Sequence, residues 1–138
     1  MSIEFFVPYE IKPKGNRGRV MYSPDGKPFV RETDKYRSNQ DALVTLFAQN
    51  APPSPISGPI WVSYTFEYPW RKHHGKKIRA FGSIPKDTAP DLGQLTKRCD
   101  DVLQAAGFVR NDAQIASYGE TNKIYCDRHG VTVRISLL

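Results

Sequence analysis

Two aspartates and a lysine have the residue types from which a phosphoryl-transfer site can be built. Asp91 and Asp112 lie 21 positions apart, with Lys97 between them. Carboxylates are hard oxygen ligands suited to Mg²⁺, and an ammonium group can meet a phosphate. For the two acids to act together, the chain between them must double back. The segment from Pro90 to Ile115 is built to do so. Asp91 can cap a helix by accepting orphan backbone N–H groups, and Pro90 before it blocks an earlier start. Leu92, Leu95, Cys99, Val102, Leu103 and Ala106 recur at steps of three and four, one apolar stripe over about four turns. Gly107 suits the left-handed residue that closes a helix. Asn111-Asp112 then precede an alternating stretch from Ile115 to Ile124 that predicts a strand. On pattern alone a simpler account wins: an ordinary helix with a capping Asp and a turn Asp.

The same residues resemble the core motif of the RusA-type Holliday-junction resolvases, small endodeoxyribonucleases of phages and prophages. Pro90-Asp91-Leu92, Leu95, Lys97, Asp101, Leu103, Ala106-Gly107-Phe108 and Asp112-Ala113-Gln114-Ile115 fall in register with it over about 26 residues. The resemblance implies Mg²⁺, or Mn²⁺ in its place, at Asp91 and Asp112. It also implies a phosphate-facing Lys97, a homodimer, four-way junction DNA as partner and a bacterial cytoplasm as the setting. One position departs. The family places a third aspartate where this chain has Gly93, and Asn where it has Gln94. Asp101 is no substitute, because ten residues of helix span about 15 Å; it reads as structural, at most an i,i+4 partner of Lys97. Three explanations stay open: a weakened or inactive nuclease that still binds branched DNA, a loss-of-function change selected when a toxic enzyme is cloned, or another residue completing the site.

The elements around the motif must position it. At 138 residues with 39% hydrophobic and 25% charged residues, the chain is expected to be one globular domain, 1–138. The net charge of +6 favours a polyanionic partner. Cys99 and Cys126 lack framework spacing and read as reduced thiols, and no Cys/His cluster suggests zinc. Met1 to Glu4 is no signal peptide, and no apolar run approaches membrane-spanning length.

Ile3 to Val7 predicts a first strand. Lys12, Lys14, Arg17 and Arg19, interleaved with Pro13, Gly15 and Gly18, form either a solvated turn or a DNA-backbone loop. The resemblance, which places a basic loop here, tips the reading to DNA. A hairpin follows around Ser23-Pro24-Asp25-Gly26, then a helix capped by Thr33 or Asp34 and running to about Asn50. Ile60 to Tyr68 alternates cleanly: Ile60, Val62, Tyr64, Phe66 and Tyr68 on one face, Trp61, Ser63, Thr65 and Glu67 on the other. From Pro69 to Pro90, Arg71, Lys72, Lys76, Lys77, Arg79 and Lys86 give six cations against Asp87. This stretch is expected to be a mobile loop, or a ribbon turning around His73-His74-Gly75, that tracks phosphates, with Trp70 or Phe81 available to stack on an unpaired base. Val131 to Leu137 predicts the last strand, joined to its predecessor by a hairpin turn at Asp127-Arg128-His129-Gly130. The expected architecture is α+β: one mixed sheet with two helices packed on it.

Overall fold

A computed structural model describes residues 1–12, 18–32 and 34–138. Its centre is the predicted strand Ile60–Pro69 (β4), whose apolar residues Ile60, Val62, Tyr64 and Phe66 are all buried. The final strand, Gly130–Leu137 (β8), runs antiparallel along one side of β4, and Ser2–Val7 (β1) runs antiparallel along β8. On the other side of β4 lie two parallel segments end to end, Ile115–Tyr118 (β6) and Asn122–Cys126 (β7), with Ile84–Pro85 (β5) at the edge of β7. The six-stranded mixed sheet is joined by a separate hairpin, Gly18–Tyr22 (β2) and Pro28–Glu32 (β3).

Two long helices, Asp34–Ala48 (α1) and Leu92–Ala105 (α3), cover the apolar face of the sheet; a third, Lys76–Arg79 (α2), is one turn long. Leu43 and Phe47 of α1 and Leu95, Cys99, Val102 and Leu103 of α3 pack with Phe5, Val7, Val131, Val133 and Ile135 into one core. Phe5 stacks on Phe108 and meets Phe47 edge-on, both at 5.4 Å between ring centroids. Each such side chain contributes about 1.5–3 kcal/mol by leaving water. A buried arginine also joins the helices. Arg98 is 0% exposed, donates to Asn39 Oδ1 at 3.0 Å and lies 3.7 Å over the Tyr36 ring. Both cysteines are buried and free.

Three expectations change. The stretch from Ile115 to Ile124 is two strands, not one. At Gly119 the chain leaves the ladder, and the gap is bridged by Gly119 N–H to the Val62 carbonyl (2.8 Å), Ser63 Oγ to the Glu120 carbonyl (2.6 Å) and Tyr64 N–H to Thr121 Oγ1 (3.3 Å). A side chain at 119 would put its Cβ 2.0 Å from Trp61 Cζ2, so only glycine lets the backbone lie on that ring. Next, residues 127–129 do not form a hairpin. They carry the chain over the end of β4, because β7 and β8 flank that strand on opposite sides. Arg128 pins the crossing through Glu67, at 2.8 and 3.3 Å. Finally, the 69–90 stretch is a packed lobe. His74 and Lys86 are buried, Arg79 donates to the His74 and Arg71 carbonyls, and β5 ties the lobe to the sheet. The proposed cap Thr33 lies outside the described residues.

Candidate active site

The motif helix begins and ends as its sequence requires. Asp91 is the N-cap, its Oδ1 accepting from Gln94 N–H at 3.1 Å. Gly107 has φ +87, and Phe108 N–H reaches back to the Leu103 carbonyl at 3.0 Å, the C-terminal closure expected of an Ala-Gly-Phe ending. Before the helix, Lys123 of β7 donates to the carbonyls of Thr88 (2.6 Å) and Pro90 (2.8 Å), which fixes where Asp91 starts.

Beyond the helix, a polar network seats Asp112 against α3. Gln104 Oε1 accepts from Asp112 N–H at 3.0 Å. Asn111 Oδ1 accepts from Ala113 N–H at 2.8 Å, and Gln114 Oε1 from the amides of Arg110 and Asn111. The other end of Gln114 donates to the carbonyls of Ile56 (2.8 Å) and Gly58 (3.0 Å), locking the turn to the segment before β4. The motif's Asp-Ala-Gln is thus a mount, with the glutamine holding the turn that carries the aspartate.

The result is a pocket of about 520 Å³ lined by Leu92, Gly93, Thr96, Lys97, Asp100, Asp112, Tyr118 and Thr121. Gly93, Lys97 and Asp112 therefore share one concavity. Asp91 stands at its rim, since a Cβ on Gly93 would sit 3.2 Å from Asp91 Oδ1. A side chain at 93 requires that carboxylate to give by a few tenths of an ångström. Gln94 is exposed beside it.

Sequence reasoning missed Asp100. It is buried, and both its oxygens are engaged: Oδ1 accepts from Tyr64 Oη at 2.7 Å and Oδ2 from Tyr118 Oη. Burial pushes its carboxyl above the usual range, the two tyrosine hydrogen bonds oppose that, and the nearby Asp112 charge adds to it. Burial first, and the Asp100 carboxylate after it, hold the Tyr118 and Tyr64 hydroxyls well above the ordinary phenol range. The signal was in the spacing: Asp100 falls seven residues after Gly93, two helical turns along the same face. Asp101, the motif's acid, instead faces a different depression with Gln104, Gly107 and Arg110.

Does this donor set suit a divalent cation? Mg²⁺ keeps several waters and is commonly held by one or two carboxylates plus substrate phosphate. Asp112 lines the Gly93 pocket and Asp91 Oδ1 lies beside position 93, so the donor chemistry is of the kind Mg²⁺ takes. Among the described residues no group of three His, Cys, Asp or Glu side chains is arranged to hold a metal ion. The donor chemistry suits a hydrated ion held by few carboxylates.

The family model described as endodeoxyribonuclease RusA matches residues 8–136. The chain belongs to the RusA endodeoxyribonuclease family. No curated protein matches it in a sequence search. Family membership brings nuclease activity on branched DNA into the frame, and Leu92, Lys97 and Asp112 of the motif line the pocket.

The basic residues divide. Lys72, Lys76 and Lys77 are exposed on the lobe. Arg71 and Arg79 are exposed too, but both brace the lobe: Arg71 N–H donates to His74 Nδ1 at 2.9 Å, and Arg79 bonds the two carbonyls above. Lys12 pairs with Glu10 at 3.0 Å. Lys14 and Arg17 lie outside the described residues, as does the side chain of Arg19. Among the described residues no helix is long and apolar enough to cross a membrane.

Proposed function

We propose that this RusA-family protein is a structure-selective endodeoxyribonuclease that cuts phosphodiester bonds in four-way DNA junctions, with Mg²⁺ (or Mn²⁺) held by Asp91 and Asp112. The observation that carries the reading is the convergence of Gly93, Lys97 and Asp112 on one pocket with Asp91 at its rim. Bound there, the metal would supply an activated water and charge stabilisation at phosphorus. The chain's own residues do the rest. Lys97, the one cation among the residues lining the pocket, is the natural partner for a strand phosphate. Asp100 holds the Tyr118 hydroxyl at the pocket wall. Lys72, Lys76 and Lys77 would contact flanking phosphates, which positions DNA without reading its sequence. A homodimer would present two such pockets to the two-fold axis of a junction, in the cytoplasm of a bacterial host.

Gly93 favours a second reading, a branched-DNA binder with weak or no cleavage. It removes one carboxylate from the place where the family carries it. A labelled four-way junction and a linear duplex of matching arm sequence separate these readings from a general basic protein. Salt-sensitive binding that favours the junction, with nicks accumulating in Mg²⁺, is the expected result. Binding without nicks would select the second reading. Equal affinity for the duplex with no product would overturn both.

A further inference from the structure

Pro90 helps to line a second cavity, about 400 Å³, with Glu10, Tyr68, Pro69, Trp70, Arg71, Lys86, Ala89 and His129. That volume is in the range of small-ligand pockets, roughly 300–1,000 Å³. We infer that this cavity receives an unpaired nucleobase of the bound DNA strand, everted beside the motif pocket. The inference rests on the DNA-directed function proposed above.

The lining has the three features a base needs. It has aromatic walls: Tyr68 and His129 lie against each other at 5.4 Å between ring centroids, and Trp70 adds a half-buried ring held edge-on by His74. It has donors. Lys86 is 5% exposed, and its ammonium gives two of its three hydrogens to Thr88 Oγ1 (2.7 Å) and Tyr125 Oη (3.0 Å). His129 Nε2 is buried with no hydrogen-bond partner among the described residues. It has an acceptor, the Glu10 carboxylate. A phosphate would use only the Arg71 and Lys86 charges and would gain nothing from the rings. A base edge, which carries donors and acceptors around a flat π-face, uses all three.

Position argues the same way. Pro90 lines this cavity and Leu92 lines the motif pocket. Two residues span at most about 7 Å, and successive nucleotides rise about 3.4 Å along a strand. The two concavities therefore flank the start of α3, and a strand crossing there can place a phosphate in the motif pocket and a nearby base in the cavity. Unpaired bases are available at a branch point, where unstacking costs least.

The test uses the full chain and four-way junctions carrying a single 5-iodo-2′-deoxyuridine at successive positions flanking the branch. Gel shift confirms binding in each sample, irradiation cross-links the iodinated base to any aromatic ring stacked on it, and peptide mass spectrometry maps the site. Cross-links to Tyr68, Trp70 or His129 from one or two adjacent positions, absent with linear duplex, are expected. Trp70→Ala should lower junction affinity by about tenfold, the scale of one base–aromatic stack, while Trp70→Phe restores most of it; circular dichroism checks that both variants fold. A shifted junction with cross-links only elsewhere, or the same cross-links from linear duplex, would overturn the inference and leave the nuclease reading standing. No shift at all would remove both.

Discussion

The motif pocket and the basic lobe adjoin along the chain, and they hold their charges in opposite ways. In the pocket the acids are few and spaced along one helix and the turn after it, and each is fixed by backbone or side-chain hydrogen bonds. In the lobe the charges are many, and composition suggests a solvated arm. Yet its lysine at position 86 is buried between the rings of Tyr68 and Tyr125, at 5.0 and 4.7 Å, and Arg79 donates to two backbone carbonyls. Spacing encodes where a side chain ends up, because a helix repeats on itself. Net charge does not, since burial of a cation is decided by distant partners that composition cannot reveal.

The largest effect that would sharpen this contrast is at the pocket. In a cleaving background such as Gly93→Asp, Asp112→Asn should lower the cleavage rate by at least about 10²-fold, the scale of losing one group that stabilises developing charge. Junction affinity in gel shift should change little. A comparable loss of binding would mean Asp112 holds the fold or the DNA, not the chemistry.

Stability comes next. Asp100→Ala leaves the Tyr64 hydroxyl buried without its acceptor, and urea denaturation should register a loss of about 1–3 kcal/mol. In the lobe, Lys86→Met should cost about as much, by stripping donors from Thr88 and Tyr125. Lys72→Met, at an exposed position, should stay within about 0.5 kcal/mol. Equal effects at 72 and 86 would restore the mobile arm.

The smallest effect is spectroscopic. Hydrogen bonds from Thr88 and Lys86 draw the Tyr125 phenol down to about 8. Tyr64, Tyr68 and Tyr118 are pushed the other way by burial. An absorbance titration should find one tyrosine ionising near pH 8, and Lys86→Met should move it upward. Because the folded chain releases this proton before the unfolded chain does, stability from this group grows as pH rises from about 8 towards the ordinary phenol value of about 10, and is absent below that window. A titration with no early tyrosine would deny the Lys86–Tyr125 contact.

Much of this was legible beforehand. The alternation of β4, the stripe of α3 and the closing Gly107 are local patterns, and they appear where the sequence puts them. Strand pairing is not local. Nothing in Asp127-Arg128-His129-Gly130 reveals that β4 will lie between the strands it joins, and the break at Gly119 answers to Trp61, 58 positions earlier. At the pocket, Lys97 and Asp112 were singled out by the resemblance and not by pattern, and both line it. Asp100 was hidden behind its neighbour Asp101, because adjacent acids on a helix differ only in which face the core leaves open. The roles of Gln104 and Gln114 depend on contacts made after folding.

The central claim is that this pocket is a nuclease centre short of one carboxylate at position 93. Its most direct test is the single-turnover cleavage rate of a four-way junction in Mg²⁺, measured side by side for the native chain and Gly93→Asp. We expect the aspartate to fit beside Asp91 and to raise the rate by about 10²-fold or more. A rate that is unchanged or lower in Gly93→Asp, with junction binding intact, would contradict it.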